Sequence, residues 1–277
     1  MDSNLLDKLY RSCLREDIGR GDLTSESIFP PQQVGSADIV ARESFIAAGA
    51  DLIGGRVFKA QNSAIEISNP VADGTRVNRG DILFSVNGPV LDLLMAERVA
   101  LNLLQRISGI ATFTAQFVDR VRGYPVRICD TRKTTPGLRM LEKYGVVVGG
   151  GSNHRFNLTD GILIKDNHIA ACGSITEAVE RVRSKVPHTI RIEVETDTIE
   201  QVEECLACGV DIIMLDNMTT DTMRRAVGLI AGRALVEASG GIVLDNIADV
   251  AKTGVDIISI GALTHSAPAC DIGMDWS

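Results

Sequence analysis

No window of this 277-residue chain approaches the ~18 apolar residues that a membrane-spanning helix needs, so no membrane span is expected. The N-terminal stretch MDSNLLDKLYRSCLREDIGRGD scatters charges where a secretory signal would need an apolar core, and the expected location is cytoplasmic. Cysteine is sparse: six residues, at 13, 129, 172, 205, 208 and 270, too irregular for a disulfide framework. Only Cys205 and Cys208 have metal-like spacing. With no second CxxC and no nearby His, they read as small apolar residues closing a helix, not as a zinc or redox site. No Ser/His/Asp or Cys/His constellation for nucleophilic catalysis stands out. A cationic excess is missing too. With 28 Lys and Arg against 36 Asp and Glu the net charge is −8, the wrong balance for a nucleic-acid surface.

What is present is a local exception. Between Asp130 and His168 six cations (Arg132, Lys133, Arg139, Lys143, Arg155, Lys165) face four acids, so this segment carries +2 and the remainder −10. Fixed cations and glycines concentrated in an acidic chain point to a small polyanion held in a pocket. Hydrophobic content of 45% with 23% charged residues is ordinary for a globular enzyme.

The second half has a rhythm. Apolar, β-branched runs end at Asp130, Lys165, Glu195, Asp216, Ser239 and Gly261, at intervals of 35, 30, 21, 23 and 22 residues. Helical patterns lie between them, among them SITEAVERVRSKV and DTIEQVEECLACG. Buried strands alternating with helices predict parallel βα units. Short repeats of this kind favour a barrel over an open sheet, and fewer than eight clear units predict an incomplete one. The first 108 residues read instead as short strands and turns, with VADGTRVNRGDILFSV resembling the β-sandwich of biotinyl carriers but without their modifiable Lys. Leu5, Leu6, Leu9 and Leu14 suit an amphipathic N-terminal helix. A long helical run carries Leu94, Val99, Leu103 and Ile107 near one face, and Ser108–Gly109 is expected to interrupt it. The expected organisation is therefore an N-terminal α/β sandwich domain over 1–108 and an α/β barrel over 109–265, with the tail 266–277 packing back on the first domain.

Barrels carry their chemistry at the C-terminal ends of strands. That places Asp130 with Arg132 and Lys133, then Lys165, Glu195, Asp216, Ser239 and Gly261, on one rim. ASGGI (238–242) and SIGAL (259–263) are Gly-rich turns into helices, either simple turns or, at the last two strand ends, a phosphate cradle. Glu195 and Asp216 hold a divalent metal such as Mg2+ or ribose hydroxyls, or else bridge to the barrel's own lysines. His154 binds a carboxylate or caps a loop.

At these residues the chain resembles the quinolinate phosphoribosyltransferases, essentially end to end. The motifs that carry the likeness are AERVALNLLQRISGIAT, DTRKTTPGLRMLEKY, GGGSNHRFNLTDGILIKDNHI, IEVE, MLDN, ASGGI and ISIGALTHSAPA. Position 152, often His in this motif, is Ser here, while Asn153, His154 and Arg155 remain. The resemblance implies an N-terminal α/β sandwich, an incomplete seven-stranded α/β barrel, and a homodimer, sometimes assembled into hexamers. It implies conversion of quinolinate and phosphoribosyl pyrophosphate to nicotinate mononucleotide, CO2 and pyrophosphate in NAD biosynthesis, with Mg2+. On this pattern Arg98 reaches in from the neighbouring subunit, and Arg132, His154 and Arg155 grip the two carboxylates, with Thr131 beside them. Lys133 and Lys165 lie near the phosphates and the reacting ribose, and Glu195 and Asp216 hold the ribose hydroxyls and Mg2+. Ser239, Gly240 and Gly241, with Ile260, Gly261 and Ala262, hold the 5′-phosphate. The alternatives are a sister phosphoribosyltransferase of the molybdenum-operon type acting on another acid, a Schiff-base aldolase using Lys165, and a non-catalytic phosphosugar-binding protein.

Overall fold

A computed structural model describes residues 3–277, so the first two residues of the N-terminal stretch lie outside the described residues. The chain divides into two compact units, the first running to Ala115 and adding Thr135–Gly150 and Ser266–Ser277, the second comprising Gln116–Thr134 and Gly151–His265. Among the described residues no helix is long and apolar enough to cross a membrane.

The first unit opens with helices α1 (Ser3–Ile18) and α2 (Leu23–Ile28). In α1, Leu6, Tyr10 and Leu14 recur every four residues and are the buried positions, while Leu5 is exposed. Strands β1 (Val34–Ala41) and β2 (Phe45–Ile46) precede α3 (Arg56–Gln61), and β3 (Glu66–Ser68), β4 (Arg76–Val77) and β5 (Ile82–Pro89) complete the turn-rich text. The VADGTRVNRGDILFSV stretch supplies β4 and β5. The C-terminal strand β12 (Ile272–Trp276) joins them in a four-stranded sheet of order β12-β1-β5-β3, pairing antiparallel with β1 so that Trp276 faces Ala37. Phe58 and Phe84 meet edge-on in its core, ring centroids 6.2 Å apart.

Helix α4 spans Val90–Arg120 without a break. The expected interruption at Ser108–Gly109 is not formed. A side chain on Gly109 would sit 1.9 Å from the carbonyl oxygen of Pro268, so glycine serves here for close packing inside a continuous helix. Helix α5 (Arg139–Val148) belongs to the same unit, where its buried Glu142 accepts hydrogen bonds from the Arg106 guanidinium (2.9 Å from Nη2) and from Thr135.

The second unit contains the six strands whose ends the sequence marks: β6 (Arg127–Cys129), β7 (Ile162–Ile164), β8 (Ile192–Thr196), β9 (Ile212–Asp216), β10 (Leu235–Ser239) and β11 (Ile257–Ser259). They form one parallel sheet of order β6-β11-β10-β9-β8-β7. The expected seventh strand is reduced to a single parallel bridge between Ser152 and Cys129, because it emerges from Gly149-Gly150-Gly151, a run that supplies no side chains to pack on a sheet. Helices α6 (Asp166–Cys172), α7 (Ile175–Arg183), α8 (Ile199–Cys208), α9 (Thr220–Ile230), α10 (Ile247–Ala251) and α11 (Ala262–His265) return the chain between strands. Side chains fix three of these starts: Ser174, Thr198 and Thr219 each accept a hydrogen bond from the third residue on. Cys205 and Cys208 do close α8. Burial pushes the Cys205 thiol up to about 12, so it packs as an apolar residue.

Candidate active site

Strand period two decides which side chains meet inside this barrel. In β8 it turns Glu193 and Glu195 to the same side, and register pairs Glu195 with Met214 and Met214 with Glu237. Two residues beyond, and so on the same face, Ser239 pairs with Asp216. These inward positions open at the strand ends into a cavity of about 610 Å³.

Every expected site residue except one lines it. Following the sheet order, the rim runs Lys165, Glu195, Asp216, then Ser239, Gly240 and Gly241, then Ile260, Gly261 and Ala262, and then Thr131, Arg132 and Lys133, with His154 and Arg155 just past the Ser152 bridge. Acids, glycine turns and cations therefore occupy successive arcs. Arg98 lies on α4 in the other unit, exposed, its guanidinium 3.9 Å from the Glu97 carboxylate.

The cationic arc is the more tightly specified. Arg155 donates from Nη1 to the Gly161 carbonyl at 3.0 Å. Burial first, and then the nearby Arg132, pull its guanidinium below the ordinary value. Arg132 buries Nε without a hydrogen-bond partner. Two guanidiniums held close, one with a donor unused, are arranged for an anion, and the planar fork suits a carboxylate. Lys133 is anchored by its backbone: its N–H donates to Thr131 Oγ1 at 3.0 Å, and its carbonyl accepts from Thr264 Oγ1 at 2.7 Å.

His154 is held on three sides. Its N–H donates to Asp130 at 2.9 Å, and its Nδ1 accepts the Arg155 N–H at 2.7 Å. An accepting Nδ1 places the ring proton on Nε2, which points at Glu193 (3.2 Å) and Glu237 (3.6 Å). Among the described residues this trio is the one group of three or more ligand-type side chains close enough to share a metal ion. The tautomer argues against that use, since a protonated Nε2 has no lone pair to give. The two carboxylates are nearly sealed from solvent, and burial, then Glu193, raise Glu237 to about 7. Neither Glu193 nor Glu237 was singled out from the sequence. Both stand two residues before rim residues that were, Glu195 and Ser239, and strand alternation is the signal that would have found them.

On the acidic arc, Lys165 Nζ lies 3.0 Å from Glu195 Oε2, with the lysine side chain 46% exposed. A Schiff-base lysine needs a desolvated amine, and this one is ion-paired and wet. Burial, then Asp197, raise Asp216, opposed by a hydrogen bond from Asn217. Lys165 donates to Oε2 of Glu195 and Asn217 to Oδ2 of Asp216, so neither contact engages the second oxygen of its carboxylate. Two hard carboxylate oxygens on neighbouring strands fit Mg2+, which is commonly held by one or two carboxylates together with substrate phosphate. The glycine arc offers backbone instead. Gly240 and Gly241 both have positive φ, 84° and 62°, and a side chain on Gly261 would crowd Lys133 Cδ at 2.9 Å. Leu163, Met214, Asn217, Ile242, Val243, Ser259 and His265 also line the cavity and were not anticipated.

Comparison with known proteins agrees over both units. The family model described as quinolinate phosphoribosyl transferase, C-terminal domain, matches residues 110–275, and the corresponding N-terminal domain model matches residues 22–108. A probable carboxylating nicotinate-nucleotide pyrophosphorylase of Bacillus subtilis is 49% identical over 270 residues, covering 98% of this chain and 93% of the relative. The carboxylating nicotinate-nucleotide pyrophosphorylase of Mycobacterium leprae is 44% identical, covering 96% and 95%. Among solved structures, NadC from Streptococcus pyogenes superposes with a TM-score of 0.94 at 41% identity, covering 100% of this chain and 99% of that one.

Proposed function

This chain belongs to the quinolinate phosphoribosyltransferase family, and we propose on that premise that its barrel cavity makes nicotinate mononucleotide, CO2 and pyrophosphate from quinolinate and phosphoribosyl pyrophosphate, a step of NAD biosynthesis. The observation that carries the reading is the division of one rim into a guanidinium arc, a glycine arc and an acidic arc. Quinolinate brings two carboxylates and its co-substrate several phosphates. Two like charges ~4 Å apart at an effective dielectric of 20 repel by ~4 kcal/mol, so fixed cations are required to co-bind them.

Arg132 and Arg155 take the carboxylates, and Thr131 and His154 shape that end of the cavity. Ser239–Gly241 and Ile260–Ala262 hold the 5′-phosphate through backbone N–H groups. Glu195 and Asp216 hold the ribose hydroxyls and would also hold Mg2+. When bound, the ion offsets negative charge on the departing pyrophosphate. Lys133 and Lys165 stabilise the same charge from the protein side as C1 becomes oxocarbenium-like. The pyridine nitrogen attacks C1 while the C1–O bond to pyrophosphate breaks. The charge on the adjacent nitrogen then stabilises the electron pair that stays on C2 as CO2 departs, and C2 takes a proton from water. Transfer needs no general base, in keeping with a site built of charges and hydrogen-bond donors.

The family reading extends to assembly: a cytoplasmic homodimer, with hexamers built from dimers, in which Arg98 enters the neighbouring cavity. Its exposed place on α4 supports this. Mixing Arg98→Ala with Lys133→Ala, each inactive alone, regains activity if Arg98 works across subunits. For the reaction itself, the protein is given phosphoribosyl pyrophosphate and Mg2+ with either quinolinate or nicotinate. Pyrophosphate and CO2 appear with quinolinate. Turnover of nicotinate alone, without CO2, would sink the substrate assignment.

A further inference from the structure

Asn217 is the cavity-lining residue other than glycine whose backbone enters the left-handed region, with φ 53°. Such a conformation costs a non-glycine residue free energy and persists where surrounding contacts hold it. Here three contacts do. The Asn217 N–H donates to the Ser239 carbonyl at 2.9 Å. Its side-chain Nδ2 donates to Asp216 Oδ2 at 2.7 Å. Its Oδ1 occupies the space over Gly240, where a Cβ would lie 2.2 Å away.

One side chain thus touches two parts of the rim that belong to different strands. The amide fixes which oxygen of Asp216 is turned toward the protein and which toward the cavity. The same amide fills the volume that makes glycine obligatory at 240, and the backbone bond to Ser239 sets the start of the turn. Nothing in the guanidinium arc contributes to this arrangement.

We propose that Asn217 is a positioning residue for the phosphoribosyl half of the site: it aims the Asp216 carboxylate and holds the Ser239–Gly241 turn in register with it. This rests on the functional reading above for the identity of the substrates. Asn217 acts through Asp216 and the turn, so removing its amide weakens handling of phosphoribosyl pyrophosphate and leaves that of the dicarboxylate alone.

The test is Asn217→Gly, which keeps the positive φ at no strain and deletes only the amide. KM for phosphoribosyl pyrophosphate rises about tenfold, equivalent to about 1.4 kcal/mol, while KM for quinolinate stays within about twofold and the unfolding midpoint does not fall. Asn217→Asp keeps the shape but turns a carboxylate oxygen toward Asp216, and it loses at least as much. An unchanged KM for phosphoribosyl pyrophosphate in Asn217→Gly, or an equal rise for both substrates, overturns the proposal. Calorimetric titration with phosphoribosyl pyrophosphate and Mg2+ alone separates this from the functional reading. If the native chain does not turn over quinolinate but Asn217→Gly still binds phosphoribosyl pyrophosphate about tenfold more weakly, the function falls and the positioning role stands. If turnover is normal and the variant binds like the native chain, only the positioning role falls.

Discussion

Glu193 and Glu195 sit two residues apart on β8 and face the same interior, yet their side chains are 5% and 12% exposed and their partners differ in kind. At the floor, Glu193 receives the Nε2–H of His154, itself 14% exposed, at 3.2 Å. At the rim, Glu195 meets the Lys165 ammonium, 46% exposed, at 3.0 Å. The floor pair is an imidazole N–H donor to a buried carboxylate, next to a second carboxyl that burial raises to about 7. The rim pair is two full charges with water beside them. Similar distances therefore carry different work: the floor holds the segment bearing Arg155 in place, and the rim keeps charges ready for a ligand to claim.

The largest effect expected at the rim is on catalysis. Glu195→Ala cuts phosphoribosyl transfer by about a hundredfold or more, the scale of removing a charge aimed at a developing transition state. Stability moves by about 0–1 kcal/mol, because the pair's Lys165 end is 46% exposed and water screens the attraction. A steady-state assay beside a denaturant titration reads both. A variant that keeps its activity but unfolds easily would merge rim and floor into one structural role.

Glu193→Ala reverses the balance. It takes away the 3.2 Å acceptor of the His154 Nε2–H and leaves only Glu237, 3.6 Å away, at a cost of about 1–3 kcal/mol. The comparison belongs below about pH 7, where Glu237 is largely protonated and removing Glu193 brings no relief of charge repulsion. Glu193→Gln, whose amide oxygen can accept the same hydrogen, restores most of the loss. Equal damage from Ala and Gln would place the value of Glu193 in its charge.

Glu237 sharpens the floor further through pH. Its folded value is raised from 4.5 to about 7, so the folded state holds this proton more tightly than the unfolded chain does. Its contribution to stability is fully present below the unfolded value and is lost as pH rises through about 7. Unfolding free energy of the native chain should decline over that window relative to Glu237→Gln, which cannot ionise. Parallel pH profiles for the two proteins would show that Glu237 is charged throughout.

The rim was legible from the sequence and the floor was not, for a physical reason. Rim residues terminate apolar runs, so Lys165, Glu195, Asp216 and Ser239 announce themselves where a strand's hydrophobic text stops. Glu193 and Glu237 interrupt such runs from inside, in IEVE and LVEAS, and a single acid among β-branched neighbours looks like an outward-facing position until the register shows otherwise. Asn217 needed its φ, which no residue type declares. The pairing of β12 with β1 joins segments more than two hundred residues apart, beyond any local pattern. The seventh strand was expected from resemblance and is a single bridge because three glycines precede it.

The smallest expected effect tests whether distance or burial ranks these pairs. Arg181 and Glu177, one turn apart on α7, approach to 2.6 Å, closer than either pair on β8, with side chains 62% and 45% exposed. If proximity governed, this would be the strongest of the three. Solvent screens it and both long side chains lose rotamer freedom to make it, so Arg181→Ala should leave the midpoint of a denaturant titration nearly where it was. A loss matching that of Glu193→Ala would mean that contact length, not the depth of the partner in the barrel, decides what a carboxylate is worth in this fold.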